Sequence, residues 1–309
     1  MHKRVLDHFS DPEYKIPKWE PKTEKSAIAG LTLIEQEKFW LSYECISRYL
    51  RATKWKSAEA AIHRLEATLV WRREYGLYDL ITPEYVEPEA TTGKEILFGY
   101  DTQGRPGFYM IPSRQNTSES PRQLHYMVWM LERAIDCMEQ GVESLPLLMN
   151  LGDRGKAPSF QNCRQMLHIL QEHYPERLGR ALVINVPFLL HAFIKLMMPF
   201  VDPITREKIR FNPDVIKEGI FAKNELMSGA WGGACDFEYV HEEYWPALVR
   251  LCEERSSSWR ARWKALGGTV GIREYDYKTD DDRAPSLDEK MANAVTHIVD
   301  AELLVQATP

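Results

Sequence analysis

Between Leu182 and Val201 the chain reads LVINVPFLLHAFIKLMMPFV, almost long and apolar enough to cross a bilayer. A membrane-spanning helix needs about 20 apolar residues without interruption. Here Asn185, Pro187, His191, Lys195 and Pro199 interrupt the run. Each proline removes a backbone donor and ends or bends a helix. A strand, a turn and a short apolar helix therefore fit better than one span. The helix, Phe188–Met198, has His191 and Lys195 as its only polar members, four apart on one narrow stripe. A helix this apolar is either buried all round or touches lipid. Prolines at both ends make it a candidate hinged element.

The rest of the chain sets that run in a water-soluble context. Of 309 residues, 27% are charged and the formal net charge is −6. This mild acidity argues against broad nucleic-acid binding. Five scattered cysteines without a C-x-x-C pair predict a reducing compartment, with neither a disulfide framework nor a zinc site. MHKRVLDHFSDPEYK lacks the apolar core of a secretory signal, and His2 excludes myristoylation.

Residues 1–34, rich in Pro, Lys and Glu, predict a loosely held arm. Residues 35–90 predict a helical unit. Phe39, Trp40, Tyr43, Ile46 and Leu50 form one stripe; Ile62, Leu65 and Leu69 form another, with Ser57 as N-cap between them. Residues 91–268 then change period. Glu95–Tyr100 and Pro106–Ile111 predict strands around the turn 101–105. Ser120 to Gln123 predicts a capping box opening a helix that stops near Gly141. Leu145–Leu151 predicts a buried strand, Ser159 caps a helix facing Met166, Leu167 and Leu170 inward, and Ala181–Val186 predicts another strand. This alternation implies an α/β fold with a largely parallel sheet. Tyr244–Leu266 predicts a helix ending at Gly267-Gly268. Residues 269–309 form an acidic tail with a candidate helix from Leu287 to Leu304.

Motifs of catalysis are missing. The chain has no G-x-S-x-G elbow, P-loop or G-x-G-x-x-G, and its nine histidines form no H-E-x-x-H. The balance leans toward binding over covalent chemistry. Around the apolar helix lie Tyr174-Pro-Glu-Arg177 and Asp202-Pro-Ile-Thr-Arg-Glu-Lys208. Lys208 and Thr205 are suited to a phosphodiester, while Glu176 or Asp202 can accept from a polyhydroxyl ring. Asp202-Pro203 is equally a common helix start.

Together, YPERLG, a strand, the apolar helix and PFVDPITREKI resemble the hallmark of the CRAL-TRIO lipid-binding family. ISRYLRATKWKSAEAAIHRLEATLVWRREYG resembles its N-terminal domain. FGYDTQGRPGFYM, KNELMSGAWGG and EEYWPAL follow in the family's order over residues 35–268. LRATKW, SRQNT (113–117), LHILQEHYPERLG and PITREK are similar to the pleiotropic-drug-resistance branch of fungal phosphatidylinositol transfer proteins.

The resemblance implies one lipid in a pocket closed by a hinged gate helix, at about Phe188–Val201 and including Phe193, Leu196, Met197 and Phe200. It implies headgroup contacts from Glu176, Thr205 and Lys208. Phosphatidylinositol, a transient membrane surface and lipid kinases are the implied partners, without nucleic acid, and the apolar Leu145 and Leu147 add a sterol-like second ligand as an expectation. No cofactor beyond the bound phospholipid is expected. The implied setting is cytoplasmic and peripheral to membranes, the endoplasmic reticulum and lipid droplets included. Two departures stand out. Thr53 occupies a position where many members carry Arg, leaving any headgroup help to Arg51 or Lys54. Leu145 and Leu147 replace the Ser and Thr of choline-lipid binders, which predicts weak or absent phosphatidylcholine binding.

Overall fold

A computed structural model of the chain describes residues 1–17, 30–152 and 159–278. Eleven α-helices and five strands lie among them. Helix α1 (His2–Ser10) is folded against the N-terminal unit with Val5 and Phe9 buried, so the arm predicted to be loose begins as a docked helix. Its apolar residues sit four apart, enough for one buried stripe in an otherwise charged segment. The predicted helical stretch divides into α2 (Glu35–Trp40), α3 (Tyr43–Ala52), α4 (Ala58–Glu74) and α5 (Pro83–Ala90). Ser42 and Ser57 cap α3 and α4 by accepting from Cys45 N and Ala60 N. Ile46, Tyr49 and Leu50 of α3 meet Leu65 and Leu69 of α4 in a separate small core.

Strands β1 (Glu95–Tyr100) and β2 (Pro106–Met110) pair antiparallel, and β3 (Leu145–Asn150), β4 (Leu178–Ile184) and β5 (Ile209–Phe211) continue in parallel order. The β1–β2 turn is built on Asp101, whose carboxylate accepts from Gln103 N, Arg105 N and the Arg105 guanidinium at 2.7–3.0 Å. Helices α6 (Pro121–Asp136) and α7 (Phe160–His173) cross between parallel strands. Between β4 and β5 the chain forms α8 (Phe188–Met197), a 3-10 turn at Met198–Phe200 and α9 (Pro203–Glu207).

The main core lies around α6, where Tyr126 to Leu131 are all buried. The long α10 (His241–Ala265) closes it with Tyr244, Trp245, Leu248 and Leu251. Tyr244 also seals the edge of β1: its hydroxyl accepts from Leu97 N at 2.7 Å and donates to Leu97 O at 3.0 Å. An open strand edge would otherwise invite pairing with another chain. The predicted capping box at α6 does not form. The Gln123 amide turns instead to Thr117 and Ser118, and Ser120 makes no side-chain cap bond.

The predicted tail is partly structural. Helix α11 (Glu274–Tyr277) docks on the N-terminal unit, where Glu274 accepts from Ser42 Oγ at 2.8 Å. The candidate helix from Leu287 to Leu304 lies outside the described residues. Among those described, no helix is long and apolar enough to cross a membrane, as the prolines of the apolar run require.

Candidate functional site

The site grows from the turn between α7 and β4. Tyr174 and Arg177 point inward there. The Tyr174 hydroxyl donates to Glu132 Oε1 at 2.6 Å, and Arg177 donates to Glu143 O at 3.0 Å. With its neighbours anchored, Glu176 takes a left-handed backbone (φ 61°) and leaves its side chain 35% exposed. That conformation is uncommon for Glu and persists where surrounding anchors enforce it.

Arg51, at the end of α3, donates its Nε to Glu176 Oε2. Its terminal nitrogen also reaches Glu143 Oε2 at 3.2 Å. Of the two cations considered beside Thr53, the structure therefore joins Arg51 to Glu176. Lys54 is exposed on the next turn, at φ 53°. Thr53 itself ends the helix, its hydroxyl bonding back to Tyr49 O and Leu50 O at 3.0 Å.

Lys208 arrives from the other side. It closes α9, and its Nζ donates to Leu178 O at 2.6 Å, two residues beyond Glu176. The β4–β5 ladder fixes it there, with Ala181 N donating to Lys208 O at 3.0 Å. Thr205 is half-buried one turn earlier on α9. The Asp202 carboxylate caps α9 by accepting from Thr205 N at 2.9 Å, so it shapes the turn that presents Thr205 and Lys208. The residues thus divide into Glu176, Arg51 and Lys208 around the start of β4, Thr205 one turn before Lys208, Asp202 as a cap and Lys54 apart.

Beyond the site runs the apolar helix. Phe188 is 87% exposed and Leu196 57%, followed by the exposed Phe200 and Ile204. Met197 faces inward instead, and Phe193 is half-buried. Ala181, Val183, Met197 and Val201 are buried yet stand outside the main core cluster. On β3, Leu145 is buried and Leu147 is half-buried, level with Phe108 and Ala181.

A buried ion-pair chain backs the site. Glu143 accepts from Arg48 at 2.8 Å as well as from Arg51, and Arg48 donates to Glu274 at 3.0 Å. Lys278 and Arg177 lie 3.1 and 4.0 Å from Glu274. Burial alone would raise the Glu274 carboxyl, but Lys278, Arg48 and Arg177 hold it well below its ordinary value. Sequence reasoning missed Glu143 and Glu274, because neither sits in a motif. No group of side chains suited to a metal ion occurs among the described residues.

Comparison with known proteins follows the same lines. The description "CRAL/TRIO, N-terminal domain" matches residues 1–67, and "CRAL/TRIO domain" matches residues 90–226. A CRAL-TRIO domain-containing protein of Schizosaccharomyces pombe is 46% identical over 80% of this chain, which spans only 24% of that protein's length. The phosphatidylinositol transfer protein PDR17 of Saccharomyces cerevisiae is 39% identical over 90% of this chain and 82% of its own. SEC14 cytosolic factor of Eremothecium gossypii is 28% identical over 52% of this chain and 59% of its own. Among solved structures, the crystal structure of Sfh5 aligns with a TM-score of 0.41 and 17% identity, over 53% of this chain and 62% of that one.

Proposed function

This chain belongs to the CRAL/TRIO family, and on that footing we propose that it binds phosphatidylinositol and carries it between membranes. The lipid is held one molecule at a time, and no covalent step is involved. The observation that carries this reading is that Lys208 Nζ donates to Leu178 O, two residues from the Glu176–Arg51 pair, next to a helix that leaves Phe188 and Leu196 exposed. An inositol ring offers hydroxyl donors to the Glu176 carboxylate. A phosphodiester accepts from the Lys208 ammonium and the Thr205 hydroxyl. Arg51 and Leu178 O already partner Glu176 and Lys208. A headgroup would then exchange with these internal partners, with Arg51 keeping its bond to Glu143.

Acyl chains explain the need for a gate. Each CH₂ group moved into water costs about 0.8 kcal/mol, so a chain of roughly sixteen carbons costs on the order of 12 kcal/mol. Spontaneous escape through water is correspondingly slow. A carrier with exposed Phe188 and Leu196 can meet the bilayer itself and pass the chains across an apolar junction. Such a carrier works at the membrane surface from the cytoplasmic side. Leu145 and Leu147 give β3 no hydroxyl for a choline headgroup, so phosphatidylcholine is a poor cargo. The same leucines support a second reading, a sterol or other apolar cargo.

Mass spectrometry of lipids extracted from purified protein separates the two: an inositol phospholipid supports the first, and sterol alone supports the second. Glu176→Ala and Lys208→Ala are each expected to cut phosphatidylinositol transfer between vesicles by roughly 10- to 100-fold, the worth of one charge-assisted bond. Melting should stay cooperative in both. Normal transfer by either variant would remove that residue from the headgroup site.

A further inference from the structure

Side-chain amides that no headgroup role absorbs fasten the segment 186–199 at both ends. At its start, three parallel strands finish in asparagine: Asn150 closes β3, Asn185 follows β4 and Asn212 follows β5. Asn185 Nδ2 donates to Asn150 Oδ1 at 3.0 Å, and Asn185 N donates to Asn212 Oδ1 at 2.9 Å. Asn185 and Asn212 hold left-handed backbones, φ 54° and 47°, which asparagine tolerates better than most residues. Two residues past Asn185, Pro187 is the N-cap of α8.

At the far end, one glutamine grips the chain on both sides of Val201. Gln171 Nε2 donates to Phe200 O at 3.1 Å, and Gln171 Oε1 accepts from Asp202 N at 2.7 Å. The backbone carbonyl of Gln171 is itself held by Arg64 from α4. Arg206 adds bonds to Met198 O and Val201 O at 3.0 and 3.1 Å. The glutamine thus stands between the N-terminal unit and the end of the apolar helix.

The Asn185 and Gln171 bonds join neutral groups. They neither titrate near neutrality nor weaken with salt as ion pairs do. Each is individually weak, so the segment can be held in place and still come free often. We propose that Gln171 and Asn185 are positioning residues that set how often α8 swings clear, and so the rate at which lipid enters and leaves. This rests on the carrier reading above. The bonds use no side chain assigned to the headgroup, since Gln171 takes only the backbone N of Asp202 and leaves its carboxylate on Thr205 N, so loosening them speeds exchange in both directions without changing how much lipid is held at saturation.

The test uses the full chain as Gln171→Met, which keeps bulk but loses both bonds, and Asn185→Gly, which keeps the left-handed backbone. Two readings are taken: release of preloaded fluorescent phosphatidylinositol into phosphatidylcholine vesicles, and amide hydrogen exchange over residues 185–202. Release is expected to quicken about three- to tenfold, with lipid bound per protein unchanged. Amide exchange should rise near 198–202 in Gln171→Met and near 185–188 in Asn185→Gly. Release within twofold of the parent, or unchanged amide exchange at those residues, overturns the proposal. Should the parent hold no phosphatidylinositol, the carrier reading falls, and amide exchange alone decides whether the clasps exist.

Discussion

At the residue scale, the tetrapeptide Tyr174 to Arg177 shows how a motif splits its work. The sequence offered Glu176 as an acceptor beside an apolar run, and the structure pairs it with Arg51. The motif's arrangement was not legible in the sequence. Only folding shows that Tyr174 and Arg177 are anchors which hold Glu176 outward in a left-handed backbone. His173, one position earlier, is structural. It stacks on Trp71 at 4.1 Å, and Thr68 Oγ1 lies 3.1 Å from its Nδ1. Burial lowers its pKa from 6.5 to about 3. A ring that stays neutral when folded but protonates when unfolded contributes stability that is complete above pH 6.5 and is lost as pH falls toward 3. Urea midpoints should therefore decline below pH 6.5. His173→Phe, which keeps the stack without the titration, should flatten the decline between pH 6.5 and 5. The lowered pKa of His125, also from burial, leaves some slope behind.

At the element scale, β1 to β4 could be read because buried strands appear as apolar runs between turn signals. β5 could not. Its three residues include Arg210, and it exists by backbone pairing with β4. Such pairing leaves no periodic trace in a segment this short. α1 was obscured by its charges, and the α6 capping box by a competing partner for the Gln123 amide. Asp202 was legible both as a headgroup acceptor and as a helix cap, and the structure gives its carboxylate to the cap. Asp202→Asn keeps a good capping group, so phosphatidylinositol transfer should stay within about twofold. Asp202→Ala should destabilise α9 by about 1 kcal/mol and lower transfer by displacing Thr205 and Lys208. Loss of transfer in the Asn variant would return Asp202 to the headgroup.

At the scale of the whole molecule, the main core and the N-terminal core are joined along a charged seam. Arg48 and Arg51 come from the N-terminal unit, Glu143 and Arg177 from the sheet domain, and Glu274 and Lys278 from its far end. No sequence pattern reveals this seam, because Arg48 and Glu274 are 226 positions apart. Glu274→Ala would leave three buried cations short of a carboxylate. Breaking such a group by removing one partner costs roughly 3–5 kcal/mol, to be read from urea unfolding. A loss below about 1 kcal/mol would show that water reaches the seam and screens it.

The seam also bears on how such proteins can be recombined. The likeness to relatives divides conveniently near residue 90, which invites swapping the first helices of one protein onto the pocket of another. Such a hybrid would inherit its arginines from one parent and their carboxylates from the other. Unless both parents carry matching charges at 48, 51, 143 and 274, the offspring would bring incompatible halves to the place where Glu176 is held.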